Sequence, residues 1–302
     1  MSDLSVHVGT VSLGSCVLTA AGTSGYGDEL GGYGDLAALG AVVVKSLTAY
    51  PWAGNPAPRV AAWGEHMLNS VGLSGPGVEA WRREELPRLL STGATVVASV
   101  WGRRVEDYAL AVAQMSGAAI SALEVNVSCP NLEDRSRMFA HSARATAQVV
   151  AACRGAEVPL WVKLSPNTPD LIEVAEAALD AGAEALVLVN TVLGMAIDVE
   201  TARAALGGGG GGLSGPGLHP VALRAVYECR AALPSVPIVG VGGVSSGVDA
   251  VALVMAGANA VEVGTATFAD PRAPWRIQRE LAAWLDRHAH EGLSDIWGAA
   301  HA

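Results

Sequence analysis

The chain has 302 residues, 51% of them hydrophobic and 16% charged, so it can bury a large core and is not a disordered segment. Its formal net charge is −10 and no basic tract occurs, which argues against nucleic acid or an anionic membrane as partner. With 36 glycines and 2 phenylalanines, the core is expected to be rich in alanine, valine and leucine, as in a parallel sheet wrapped by helices.

Residues 5–13 alternate apolar and polar side chains and predict an N-terminal β-hairpin. Residues 4–27 carry no Asp, Glu, Lys or Arg, but they are full of Gly, Ser and Thr and follow no basic segment. They read as strands, not as a signal peptide or a membrane span, and a cytoplasmic protein is expected. Short apolar runs then recur at 16–21, 41–45, 95–99, 122–126, 159–163, 185–190, 237–241 and 258–263. Helical patterns lie between or after them at 77–90, 105–115, 143–153, 170–181, 220–233 and 248–256. A last amphipathic helix, 275–288, spaces Ile277, Leu281 and Leu285 four apart. Alternation of this kind implies parallel strands with crossover helices, and eight strands imply closure. No linker divides the chain. The expected architecture is α/β, a single (β/α)8 barrel domain over 1–302 preceded by the hairpin.

Cys16, Cys129, Cys153 and Cys229 are widely spaced, with no CxxC pair and no Cys/His cluster, so neither a metal site nor a disulfide framework is expected. Burial as a small hydrophobe suits Cys16, Cys153 and Cys229, which sit in apolar strand or helix patterns. It suits Cys129 poorly, because Ser128, Pro130, Asn131, Glu133 and Asp134 surround it. A thiol there could accept a proton if its surroundings support the thiolate.

The strand ends carry the functional signal. They read Ala21 with Gly22, Lys45 with Ser46, Ser99, Asn126, Lys163, Asn190 with Thr191, Gly242 with Gly243, and Gly264 with Thr265. In a barrel these ends meet at the C-terminal mouth, where catalysis sits. Lysine and asparagine closing apolar strands are costly unless they meet partners. The two glycine turns after the last two strands suit a phosphate held by backbone N–H groups; close helix–strand packing would also select glycine.

The run Asn126, Val127, Ser128, Cys129, Pro130 and Asn131 resembles the signature of class 1 dihydroorotate dehydrogenases, FMN-dependent enzymes of pyrimidine synthesis. Further similar segments follow in the family's order: Lys45-Ser46; Gly54, Asn55 and Pro56 with Pro58 and Arg59; and 67–73, 162–167, 189–195 and 211–216. The resemblance covers about residues 18–271. It implies that Gly242, Gly243, Gly264 and Thr265 cradle the FMN phosphate. Gly215, Ala21, Ser99, Asn126 and Val189 would lie near the cofactor, and Lys163 would lie by the flavin ring. Lys45 and Ser46 would contact flavin, with Lys45 also reaching substrate. Asn69, Ser70, Val71, Gly72, Leu73, Asn126, Asn190 and Thr191 would hold dihydroorotate. Cys129 would take the C5 proton while the C6 hydride goes to flavin N5.

A cysteine at 129 resembles class 1, since the membrane-associated quinone-using class generally has serine and an N-terminal helical extension. Leu164, Ser165 and Pro166 after Lys163, with the 211–216 run, look more like subclass 1B than the fumarate-using 1A. That resemblance implies a homodimer and a second subunit carrying FAD and a [2Fe–2S] cluster that passes electrons to NAD⁺. Three positions depart from the family: Ser99 is often Asn, Ala21 often Ser, and Trp101 replaces a usually small residue. The charged loop 132–139 reads as a mouth lid or a solvated loop. The hexaglycine 207–212 reads as a hinge or as a close backbone approach to the flavin. Alternatives are an FMN barrel acting on another dihydropyrimidine, a 1A-like enzyme, an aldolase using Lys163 as Schiff base, and an inactive flavoprotein scaffold.

Overall fold

The computed structural model describes residues 2–128 and 138–302. The hairpin pairs β1 (Val6–Val8) with β2 (Val11–Leu13) in antiparallel register, Val6 opposite Leu13. The barrel strands are β3 (Val17–Thr19), β4 (Val42–Val43), β7 (Val96–Val100), β8 (Ala122–Asn126), β9 (Leu160–Leu164), β10 (Ala185–Leu188), β15 (Ile238–Val241) and β16 (Ala260–Val263). They form one parallel sheet in the order β3-β16-β15-β10-β9-β8-β7-β4. A parallel bridge from Leu18 to Ala41 closes the ring. The fold is therefore the expected TIM barrel with its N-terminal hairpin.

Helices α3 (Val105–Met115), α4 (Ala143–Ala152), α5 (Leu171–Asp180), α6 (His219–Ala232), α7 (Gly247–Met255) and α9 (Ala273–Arg287) fall where the periodicity puts them, within two residues. The helix expected at 77–90 is two pieces, α1 (Val78–Glu84) and α2 (Leu86–Ser91), because Pro87 in the first turn of α2 has no N–H to continue the ladder. Between β3 and β4 only two short 3-10 turns occur, and a one-turn helix, α8 (Ala266–Ala269), precedes α9.

Strand alternation divides the core in two. Leu123, Val125, Leu160, Val162 and Leu164 face the helices. Val97, Ala122, Trp161, Ala185, Val239 and Ala260 fill the barrel interior together with Val8, Val11 and Leu13 of the hairpin. The hairpin is thus a plug at the N-terminal end, pinned where the Thr10 amide and hydroxyl donate to Glu184 Oε1 at 2.6 and 2.8 Å.

A second sheet stands at the opposite end. It is antiparallel, ordered β11-β14-β6-β5, from β5 (Val60–Trp63), β6 (His66–Asn69), β11 (Val192–Gly194) and β14 (Gly211–Ser214). A small pair, β12 (Ile197–Asp198) and β13 (Arg203–Ala204), extends its loop. The hexaglycine leads into β14 and serves close packing. A Cβ on Gly211 would lie 2.2 Å from the Asn69 carbonyl oxygen, and one on Gly212 would lie 2.0 Å from Thr191 Oγ1. The close approach at the end of the run is to Asn69 and Thr191, while Gly207, Gly208 and Gly210 before it are exposed.

Candidate active site

The strand ends and the antiparallel sheet enclose a cavity of about 370 Å³. Its wall gathers Ala21, Lys45, Ser46, Asn126, Lys163, Val189, Asn190 and Thr191 from the strand ends, and Gly242, Gly243, Gly264 and Thr265 from the two glycine turns. Asn69, Ser70, Val71, Gly72 and Leu73 close it from the side. Two expected positions lie elsewhere. Gly215 borders a neighbouring cleft that shares Gly243 and Thr265 with the cavity. Ser99 is fully buried one layer below the wall. Its hydroxyl is 2.8 Å from Ser46 Oγ and donates to Glu124 Oε1 at 2.9 Å, so a shorter side chain than Asn here serves the barrel interior. Cys129 and most of the 132–139 loop fall outside the described residues; Met138, at its end, lines the cavity.

The first glycine turn needs glycine on two counts. Gly242 and Gly243 have φ of 134° and 67°, and a Cβ on Gly243 would lie 2.5 Å from the His219 backbone nitrogen. Thr265 opens α8 as a helix N-cap whose side chain makes no capping bond. Such turns at adjacent strand ends can receive a phosphate-bearing cofactor through main-chain donors.

The loop at 69–73 is held on all sides. Trp52 Nε1 donates to the Gly72 carbonyl at 3.0 Å, the Asn55 amide donates to the Val71 carbonyl at 3.1 Å, and Asn55 Nδ2 donates to Ser70 Oγ at 2.9 Å. This support keeps Leu73 at a φ of 61°, a conformation a leucine rarely adopts. Trp52 in turn meets Trp101 edge-on at 6.2 Å, so the bulky residue at 101 backs the loop from behind. Lys45 Nζ donates to the Ser74 carbonyl at 2.8 Å, which stations that ammonium beside the same loop.

The asparagines are tied to one another. Asn126 Nδ2 donates to Ser46 Oγ at 3.3 Å, and its Oδ1 accepts from the Ser128 amide at 3.1 Å and from Asn190 Nδ2 at 3.3 Å. Asn190 Oδ1 accepts from the Thr191 amide at 2.8 Å. Asn69 Nδ2 donates to the Gly212 carbonyl at 3.2 Å. Each amide is fixed in one orientation before any ligand arrives, and amides can offer a ring edge both donor and acceptor.

Lys163 is buried at the floor. Its Nζ donates to Glu262 Oε2 at 2.7 Å and to Glu124 Oε2 at 3.5 Å, and both carboxylates are fully buried. Burial alone would lower the lysine pKa; the two carboxylates outweigh it and hold the ammonium above its ordinary range. Burial pushes the Glu262 carboxyl strongly up, with Glu124 adding to the rise and Lys163 opposing it. Neither glutamate lies at a strand end, so the strand-end pattern does not single them out. A signal was present, since each is the lone charge in an apolar strand and so needs a partner across the barrel. Among the described residues no group of three or more His, Cys, Asp or Glu is placed to hold a metal ion. Cys16, Cys153 and Cys229 are buried, and burial pushes each thiol up to about 12.

Fold and cavity together define a TIM-barrel protein with a polar-lined cavity at the C-terminal mouth. Residues 3–285 match the family described as dihydroorotate dehydrogenase, and the chain belongs to that family. Over 299 residues it is 42% identical to the dihydroorotate dehydrogenase B (NAD(+)) catalytic subunit of Geobacter sp. strain M21, covering 98% of each chain. The protein of the same name from Trichlorobacter lovleyi is 43% identical over 295 residues, 97% of this chain and 96% of its own. That of Alkaliphilus oremlandii is 41% identical over 297 residues, 98% of both. No helix among the described residues is long and apolar enough to cross a membrane.

Proposed function

We propose that this chain is the FMN-bearing catalytic subunit of an NAD-linked dihydroorotate dehydrogenase, converting (S)-dihydroorotate to orotate for pyrimidine synthesis. The observation that carries the reading is the meeting, in one cavity of a member of this family, of two glycine turns, a buried ammonium and a fixed set of asparagines. The residues present fit FMN. The turns at Gly242-Gly243 and Gly264-Thr265 offer main-chain donors suited to its phosphate, the apolar Val189 suits the face of a planar ring, and Lys163 suits the ring's electron-rich edge.

Bound FMN would supply the two-electron acceptor, its N5 taking the hydride from substrate C6. The chain's own residues do the rest. Lys45 brings a positive charge to the side of the cavity where Asn69 stands, which suits the substrate carboxylate. Asn126, Asn190 and Thr191 orient the pyrimidine edge. Cys129 is proposed as the base for the C5 proton, so that one proton and one hydride leave and the C5–C6 double bond forms. The cysteine thiolate is the competent form, so turnover should rise with pH towards the ~8.5 of an ordinary thiol or below it.

The acceptor side rests on the relatives' names. A second subunit with FAD and [2Fe–2S], a paired barrel and a cytoplasmic location follow from the 1B resemblance. Rapid mixing tests the core of the reading: dihydroorotate should bleach the flavin of the loaded protein, and an unbleached sample overturns it. Cys129→Ala should retain FMN and lose bleaching, while Cys129→Ser should slow it strongly. Dihydrouracil, run beside dihydroorotate, separates this reading from that of another dihydropyrimidine. Co-purification from the native host should add FAD and iron–sulfur bands to the spectrum.

A further inference from the structure

Beneath the cavity, three buried ionisable side chains meet. Lys163 comes from β9, Glu124 from β8 and Glu262 from β16, and all three point into the barrel. Lys163 Nζ reaches both carboxylates through their Oε2 atoms. Glu124 Oε1 is occupied by the Ser99 hydroxyl, but Glu262 Oε1 is fully buried and meets no donor. The two carboxyl groups thus gather around a single ammonium. Two carboxyls that share a buried site cannot both ionise cheaply, and a single lysine neutralises only one of them.

We propose that Glu124 and Glu262 share one proton, so that with Lys163 they form a charge-neutral unit at the cavity floor, and that this proton sets how much positive potential Lys163 presents to a bound flavin. Both glutamates are positioning residues acting through Lys163. The proposal deepens the FMN reading and rests on it for its second half only. The shared proton belongs to the chain itself.

Burial and the neighbouring Glu124 raise the Glu262 carboxyl while Lys163 holds it down, and the balance leaves it raised to about 8. Among the described residues, these two are the titratable groups that face it. The flanking strand β15 presents Val239 and Val241 on the interior side, and β3 with the residue just after it presents Leu18 and Ala20. Below that range the unit is neutral. Above it the unit carries one net negative charge, which opposes the negative charge gained when the flavin is reduced. The chain Asn190–Asn126–Ser46–Ser99–Glu124 then links the polar wall of the cavity to the same unit through successive hydrogen bonds.

Two measurements decide the matter, one without cofactor and one with it. In the unloaded protein, folded wild type keeps a proton that an ordinary glutamate in the unfolded chain releases, so wild type loses stability as pH rises from 5 to 8. Glu262→Gln cannot ionise and should escape that loss. The melting temperature of the variant relative to wild type should therefore climb across this interval and level off above it. A gap that does not change with pH overturns the shared proton. In the FMN-loaded protein, the midpoint potential of wild type should show an extra descent near pH 8 that Glu262→Gln lacks. Equal pH profiles overturn the coupling to Lys163. Should the variant not retain FMN, Glu124→Gln removes the same shared proton from the other side and is measured instead. A wild-type chain that takes up no flavin overturns the FMN reading, and the melting comparison then judges the proton alone.

Discussion

The two ends of the barrel interior are built from the same strands one pleat apart, yet they follow opposite rules. Near the N-terminal end, Val97, Ala122, Trp161 and Ala260 pack against the hairpin's Val8, Val11 and Leu13. Two residues further along the same strands come Ser99, Glu124, Lys163 and Glu262, all buried. The lower layer gains by leaving water, at about 25 cal/mol per Å² of apolar surface. The upper layer loses by it and survives only because each charge meets an opposite or shared partner. The difference teaches where stability and chemistry reside: the closed end holds the barrel together, and the open end spends part of that stability on a preorganised floor.

The largest break in this comparison should come from Lys163→Met. Removing the ammonium leaves the buried Glu124–Glu262 pair with a negative charge and no cation, and breaking a buried pair in this way costs about 3–5 kcal/mol. Chemical denaturation should show the loss, and flavin binding should weaken with it. Part of the cost should be recovered at low pH, where both carboxyls protonate. A variant as stable as wild type at neutral pH would mean the lysine does not compensate a buried negative charge there.

At the closed end, Leu13→Ala should cost about 2–5 kcal/mol through lost burial and a residual cavity. It should leave the flavin spectrum and the pH profile of loaded protein untouched, because nothing polar is rearranged. Denaturation followed beside flavin absorbance separates the two ends. A changed spectrum would show that the ends are mechanically coupled.

Much of this division was legible in the sequence, and the part that was not has physical reasons. Parallel strands buried on both faces read as apolar runs, so 122–126 and 159–163 could be placed within a residue. The antiparallel sheet at the mouth could not. Its strands are short, β14 begins with two glycines, and β6 pairs with β14 across nearly half the chain. No period-2 pattern marks such segments. The strand ends named most of the cavity wall because a barrel brings them together whatever lies between. Ser99 also closes a strand, but alternation turns it inward and down to Glu124. The glutamates at 124 and 262 sit mid-strand, where reading only the ends overlooks them.

Ser99→Ala sharpens the comparison within the upper layer. It deletes the hydroxyl between Ser46 and Glu124 and leaves a buried carboxylate oxygen without its donor, a loss of about 1–3 kcal/mol. Because Ser46 also receives the Asn126 amide, the variant should raise KM for dihydroorotate more than it lowers kcat. Stability loss with unchanged kinetics would confine the hydroxyl to a structural role.

The smallest effect is expected at the plug's outer edge. Glu184, just before β10, accepts from both the amide and the hydroxyl of Thr10 in the turn between β1 and β2. These bonds lie at the surface, where water replaces a lost partner, so Glu184→Ala should cost no more than about 1 kcal/mol. The carboxylate nevertheless fixes where the hairpin enters. Gly9 has a φ of 60° in that turn, and a Cβ on it would lie 2.1 Å from Glu184 Oε1. Amide hydrogen exchange should therefore report what denaturation barely detects. Exchange in β1 and β2 should quicken in Glu184→Ala, while β8, β9 and β16 keep their protection. Faster exchange spread evenly over the barrel strands would mean that the plug and the charged floor open as one unit, and that the two ends are not independent.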